Sequence, residues 1–325
     1  MNSIYIVTPG ELKRNDNTLM LLSKNKKTIL PIENVEDIKI FSEVNVNRNV
    51  LNYVSRYGIP IHFYDSLGRY TGTYYPVESN HNGKIFLNQV EFYNNSEKRL
   101  ELAKLFVFGE IMNIKNNMDN YSKKINNKIN FKEITLKIEK CRTIETLMAI
   151  EGYTREEYYK NFDSIISKDN FKFEKRSKRP PRNEINSLIS FGNTLVYSDV
   201  LKNIYCSHLD PRIGYLHSTN DRGFTLNLDV AEIFKPLIID SIIFYAVNKG
   251  LFKKNHFKNI NDGVYLNEAG KKLFISLYEE RIDYTVEIKS MKRFMSYKML
   301  MQFELSKIEH HLLGDKKYFP YVEGI

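Results

Sequence analysis

Only two cysteines, Cys141 and Cys206, occur among 325 residues, and they form no C-x-x-C pair. Their scarcity argues against a disulfide framework and against a thiolate zinc centre, and it points to a reducing compartment. Long apolar runs are missing as well. The longest, PLIIDSIIFYAV at 236–247, is interrupted by Asp240 and is too short to cross a bilayer. The opening MNSIYIVTPG has no basic segment ahead of an apolar one, so it does not read as an export signal. A cytoplasmic protein with no membrane partner is expected. Glycine-rich phosphate loops and G-x-S-x-G elbows are also absent, which leaves no P-loop or nucleophile-elbow chemistry to argue from.

Apolar material is ample: 42% of the residues are hydrophobic. A chain of 325 residues exceeds what one core usually organises, so two domains are expected. Up to about residue 76, the segments SIYIVT, TLMLLS, KTILP, VEDIKIF, IPIHFYD and RYTGTYYP read as short strands. Turn chemistry separates them at Pro9-Gly10, at the Asn15-Asp16-Asn17 cluster and at Leu67-Gly68-Arg69. One helix, roughly Arg48 to Tyr57, interrupts the series and stops at Gly58. Residues 1–76 therefore read as a β-sandwich domain, and 77–84, with the polar ESNHNGK, as a linker. From 85 to 325 the apolar spacing turns helical, for example at Leu102, Ala103, Leu105 and Phe106. The expected fold class is α+β: an N-terminal β-sandwich followed by a larger, mainly α-helical catalytic domain.

Lys and Arg number 48 against 39 Asp and Glu, a net charge of +9 that suggests a polyanionic partner. The charge clusters in one place. Lys172, Lys175, Arg176, Lys178, Arg179 and Arg182 crowd a short segment that holds Glu174 as its one acid. Pro180 and Pro181 keep this segment out of helix, so it is expected to be an exposed strap that reaches phosphates.

Candidate chemistry lies elsewhere. The stretch YLHSTNDRGFTLNLDVAEIFKP contains His217, Asp229 and Glu232. Asp229 and Glu232, three apart, share one face of a helix. Leu226, Leu228, Val230, Ile233 and Phe234 surround them, so the helix should be buried, and buried like charges need a cation or a basic group beside them. Glu151 falls where an apolar residue is expected on the stripe Ile144, Leu147, Met148 and Tyr158, with Gly152 beside it opening the backbone. Glu151, His217 and Glu232 together would offer two carboxylates and one imidazole, a donor set suited to Mg²⁺ or Mn²⁺. Asp229 would be a further ligand or would orient His217 from behind. Pro236, four residues after Glu232, should kink the helix. Tyr153, Tyr158 and Tyr159 are weak nucleophiles at their ordinary pKa near 10 and read as packing residues or DNA contacts. A catalytically silent DNA-binding scaffold is the competing reading. A zinc hydrolase is disfavoured by the missing second histidine.

In order along the chain, IEGYTREEYY, KRSKRPPRNEINSLISFGNTLVY, LDPRIGYLH and LNLDVAEIFKP resemble the motifs of the CRISPR adaptation integrases, the Cas-one endonuclease family. YIVTPGELKRNDNTLML, ILPIENVEDIKIF and YGIPIHFYD are similar to that family's β-sandwich, and GELKRNDNTL looks most like the type I-B variants. The resemblance covers nearly the whole chain. It implies a metal-dependent DNA endonuclease and integrase that inserts short foreign fragments into a repeat array by attack of a 3′ hydroxyl. It implies metal ligation by Glu151, His217 and Glu232, assisted by Asp229, with the basic segment on double-stranded and branched DNA. It implies a homodimer joined through the sandwich domains and a small ferredoxin-like partner, Cas-two. Two departures stand out: His208 occupies a place where the family often has Gly, and Lys235 one where Arg is commoner. Neither is a proposed ligand.

Overall fold

The computed structural model describes residues 2–24, 26–76, 82–167, 171–217 and 223–324. Two compact units divide the chain: Met1–Ser79 with Leu266–Ile275, and Asn80–Tyr265 with Ser276–Ile325.

The first unit contains β1 (Asn2–Ile6), β2 (Gly10–Asn15), β3 (Thr18–Ser23), β4 (Lys26–Leu30), β5 (Val35–Ile40), β6 (Val44–Val46), α1 (Arg48–Arg56), β7 (Ile61–Tyr64) and β8 (Tyr70–Tyr74). They form two four-stranded sheets, in the orders β1-β5-β7-β8 and β4-β3-β2-β6. Pairings β1–β5, β5–β7 and β2–β6 are parallel, and the others antiparallel. One buried cluster unites both sheets and α1 through Ile6, Leu12, Leu19, Ile38, Val54 and Ile61. Each strand expected from alternation appears. Strands β2 and β6 do not announce themselves, because GELKRN and VNV carry too few apolar residues; pairing with β3 and with each other makes them strands. Asp16, in the turn between β2 and β3, takes φ 51°, a left-handed conformation that Asp tolerates. Gly58 follows α1 at φ 65°.

The second unit is mainly helical, with α2 (Gly83–Asn94), α3 (Ser96–Asn120), α4 (Phe131–Lys140), α5 (Ile144–Tyr159), α6 (Phe162–Ile165), α7 (Glu184–Tyr205), α8 (Leu226–Lys235) and α9 (Ser241–Asn248). The strand pair β9 (Phe257–Ile260) and β10 (Gly263–Leu266) precedes α10 (Glu268–Asp283), and the hairpin β11 (Thr285–Ile288) and β12 (Arg293–Ser296) precedes α11 (Tyr297–Leu312). Leu266 and the first half of α10 belong to the first unit. The abundant asparagine has a local use here: Asn82, Asn95, Asn130 and Asn183 each cap a helix by accepting first-turn backbone N–H groups. Of the expected linker, residues 77–81 lie outside the described residues, and Gly83 and Lys84 already belong to α2. Among the described residues, no helix is long and apolar enough to cross a membrane.

Helix α8 packs against α3 and α7, and nine of its ten residues are buried. Where a kink was expected after Glu232, the helix instead widens into a π turn, Pro236–Asp240, that runs on into α9. Proline cannot donate to the ladder, so carbonyls around it need other donors. Asn113 Nδ2 donates to Ile233 O (3.0 Å), Asn117 Nδ2 to Pro236 O (2.9 Å) and Arg281 Nη2 to Leu237 O (2.7 Å). Gly109 on α3 permits this close packing. A Cβ there would lie 2.6 Å from Pro320 Cβ, with Ile233 of α8 also in contact.

Candidate metal centre

Helices α3, α5 and α8 converge on three carboxylates. One oxygen from each of Glu110, Glu151 and Glu232 lies within 4.8 Å of the others. Glu110 is fully buried and Glu232 nearly so, while Glu151 keeps a partly exposed side chain. Like charges at this depth demand compensation, and two cations supply it. Arg155, one turn after Glu151, places Nε 2.7 Å from Glu151 Oε1 and 2.5 Å from Glu110 Oε1, with Nη2 against Glu232. Lys235, one turn after Glu232, donates to both of its oxygens at 2.7 Å. The Tyr197 hydroxyl donates to Glu232 Oε1 (3.2 Å) and accepts from Lys235 Nζ (3.0 Å). Burial alone would raise the Tyr197 phenol, but Lys235, with Arg155 and Lys178, holds the group below its ordinary range. Burial, opposed by Arg155 and reinforced by Glu151, pushes the Glu110 carboxyl up to about 7.

His217 and Asp229 form a second group. Asp229, fully buried in the first turn of α8, accepts backbone N–H groups from Tyr215 (2.6 Å), Leu216 (3.0 Å) and His217 (3.0 Å). The same carboxylate lies 2.8 Å from His217 Nδ1. A carboxylate that accepts here makes Nδ1 the donor, and in the neutral imidazole that leaves the lone pair on Nε2. The turn ahead of His217 is shaped as its glycine suggests. Gly214 N donates to Thr225 Oγ1 at 2.9 Å, and a Cβ at Gly214 would stand 2.8 Å from the Thr225 carbonyl carbon. Residues 218–222 of this stretch lie outside the described residues.

The structure thus brings Glu151 and Glu232 together and ties His217 to Asp229, but His217 is not one of the three clustered donors. Sequence reasoning missed Glu110 and Arg155. Glu110 carried the signal used for Glu151, a carboxylate on an apolar helix face, here among the buried Phe106, Val107, Ile111 and Ile114. Along α5, Leu147 and Tyr158 face inward as expected, whereas Met148 is exposed. Gly152 borders open space.

Tyr158 is buried, and burial first, then Asp240, holds its hydroxyl well above the ordinary range. Tyr159 packs edge-on against Phe162, and Tyr153 is exposed. The basic segment corrects one expectation. Lys172, Lys175, Lys178, Arg179 and Arg182 are exposed, but Arg176 turns inward. Its guanidinium donates to Asn186 Oδ1 (2.9 Å) and Ser190 Oγ (3.1 Å), because Asn186 in α7 also holds the segment's backbone at Lys175 and Ser177. Arg176 is an anchor within an otherwise exposed strap.

A strand-rich unit followed by a mainly helical one that buries a carboxylate cluster defines an α+β protein with a candidate metal centre. The chain matches the family model described as CRISPR associated protein Cas1 over residues 4–280. It is 46% identical over 326 residues to the CRISPR-associated endonuclease Cas1 2 of Thermodesulfovibrio yellowstonii, covering 99% of both chains. Against the CRISPR-associated endonuclease Cas1 of Thermotoga maritima the identity is 42%, over 98% of this chain and 99% of that one. The solved Cas1 structure from Thermotoga maritima superposes with a TM-score of 0.90, covering 99% of this chain and all of the other. A casposase bound to integration product shares the fold at a TM-score of 0.91 and 18% identity, over 100% of this chain and 94% of that one. This chain belongs to the Cas1 family of CRISPR-associated proteins. The resemblance read from the motifs and the α+β class are both borne out.

Proposed function

We propose that this Cas1 chain is a metal-dependent DNA endonuclease and integrase that inserts short foreign DNA fragments into a CRISPR repeat array. The observation that carries this reading is the convergence of Glu110, Glu151 and Glu232 within one buried cluster of the helical unit. The names of its full-length relatives support the nuclease part. The donor set fits a hard divalent cation: carboxylate oxygens from three helices lie together, and Glu151 keeps one side of the cluster partly open. Glu151, Glu232 and His217 would hold Mg²⁺ or Mn²⁺, which when bound supplies charge neutralisation at the phosphate and a more acidic attacking hydroxyl.

The chain's own residues prepare that chemistry. Asp229 orients the His217 ring through Nδ1 and leaves Nε2 as its free edge. The exposed Lys172, Lys175, Lys178, Arg179 and Arg182 bind DNA phosphates, and Arg176 holds their segment in place. Attack by a fragment's 3′ oxygen on a repeat phosphorus forms one phosphodiester as another breaks, and the departing 3′ oxygen takes up a proton. Tyr158 cannot replace the DNA hydroxyl, since it is buried and its proton is held tightly. A homodimer joined through the strand-rich unit and a small ferredoxin-like Cas2 partner complete the reading. The silent-scaffold alternative draws on the fact that Arg155 and Lys235 already neutralise the carboxylates.

Incubating the protein with fragment and repeat DNA should give joined product with Mn²⁺ and none with chelator. Fragments ending in a 3′ dideoxynucleotide should fail to join, and no protein should stay on DNA after denaturation. Metal-independent joining, or a denaturation-resistant adduct that disappears in Tyr159→Phe, would overturn the mechanism. Neutralising Lys175, Lys178 and Arg179 together, with Arg176 kept, should lower the slope of log K against log salt by roughly 0.9 for each phosphate no longer neutralised. An unchanged slope would show that the strap is merely solvated.

A further inference from the structure

We propose that Arg155 is a resident cation that competes with the divalent metal for the carboxylates of Glu151 and Glu232, and thereby sets the metal affinity of the centre. This inference rests on the metal-centre reading above. Helical spacing makes the competition unavoidable: Arg155 lies four residues after Glu151, and side chains on a helix lean toward its N-terminus, so the guanidinium is delivered back over Glu151. From there it also touches Glu232 on α8 and Glu110 on α3. The two carboxylates that would take the metal thus already share, with Glu110, a fixed positive charge.

The manner of contact matters as much as its presence. The Arg155 side chain is only 17% exposed, so little water screens it. Its nitrogens lie against carboxylates from three different helices at once: Glu110 on α3, Glu151 on α5 and Glu232 on α8. A guanidinium shared among three carboxylates is not committed to one of them, as it is in a two-fold arginine–carboxylate fork. Such a group can turn aside without breaking a bidentate lock. Glu110 gives it somewhere to stay, since Nε is already 2.5 Å from that carboxylate. Retreat onto Glu110 would leave Glu151 and Glu232 to the metal. Arginine does not lose its proton, so its own charge persists at every working pH.

The test uses full-length protein stripped with chelator and titrated with Mn²⁺, free ion being counted by electron paramagnetic resonance. Wild type should bind Mn²⁺, and Glu232→Gln should abolish that binding. Arg155→Gln should tighten the Mn²⁺ dissociation constant about tenfold or more, because a like charge beside the ion is gone. In chelator the same variant should melt several degrees below wild type, its carboxylates having been deprived of their counterion, and Mn²⁺ should restore the melting temperature. Arg155→Lys keeps the charge on a compact ammonium that cannot span the carboxylates, and should bind Mn²⁺ with intermediate affinity. A folded Arg155→Gln with unchanged or weaker affinity would overturn the proposal while leaving the centre intact. If Arg155→Gln does not fold, Arg155→Lys decides, and affinity no tighter than wild type overturns the proposal. Wild-type binding indifferent to Glu232→Gln would overturn both the centre and the proposal.

Discussion

Glu151→Gln and Glu232→Gln are each expected to reduce metal-dependent strand transfer by about 10³-fold or more, with DNA binding changed only a few fold. Loss of one carboxylate ligand removes several kcal/mol of transition-state stabilisation, and each 1.36 kcal/mol is a factor of ten in rate. The two variants differ in what else they disturb. Glu151 is partly exposed and has Arg155 as its ion-pair partner, so its amide should leave the fold nearly unchanged. Glu232 is nearly buried and holds Lys235 through both oxygens, so its amide strands a buried ammonium and should also lower the melting temperature. His217→Ala should match Glu151→Gln in turnover, since its imidazole is partly exposed and its removal costs little packing. Strand-transfer rates measured beside circular-dichroism melts separate ligand loss from unfolding. Undiminished turnover in folded Glu151→Gln or His217→Ala would remove that residue from the centre.

The parts of this protein that were legible beforehand are those in which local pattern and tertiary fate agree. Alternation in VEDIKIF and IPIHFYD specifies β5 and β7, because inward residues such as Ile38 and Ile61 are apolar and buried. Strand β2 hides because its membership is conferred by its neighbours. At the centre, Glu151 and Glu232 could be picked out as carboxylates on apolar helix faces. Glu110 met the same criterion, but it stands in a long helix whose ends are rich in Glu, Lys and Asn, and only the packing of α3 on α8 shows it to be buried. Arg155 reads as an ordinary i,i+4 partner of Glu151. That it also spans two other helices is tertiary information. Arg176 shows the converse error: charge density marked a segment that is mostly exposed, but the inward turn of one guanidinium depends on Asn186 in a different element. The kink expected at Pro236 had the right cause and the wrong form, since nearby donors from Asn113, Asn117 and Arg281 allowed the helix to widen and continue.

Asp229→Asn should be much less conservative than its size suggests. Each carboxylate oxygen serves two donors: Oδ2 accepts from the Tyr215 and Leu216 N–H groups, and Oδ1 from the backbone N–H and the ring Nδ1 of His217. An amide has one accepting oxygen, so its NH₂ must confront one of these donor pairs. If it faces Tyr215 and Leu216, two buried N–H groups are deprived of their acceptor and the turn that presents His217 is undone. If it faces His217, the ring can relieve the clash only by moving its hydrogen from Nδ1 to Nε2, which spends the lone pair meant for the metal. Either orientation should lower Mn²⁺ affinity and turnover by roughly 10- to 100-fold. Removing two charge-assisted hydrogen bonds should cost about 3 kcal/mol or more of stability. Asp229→Ala, which orphans all four donors, should cost more stability still. A folded Asp229→Asn that keeps both wild-type melting temperature and wild-type Mn²⁺ affinity would show that Asp229 neither builds the turn nor sets the imidazole.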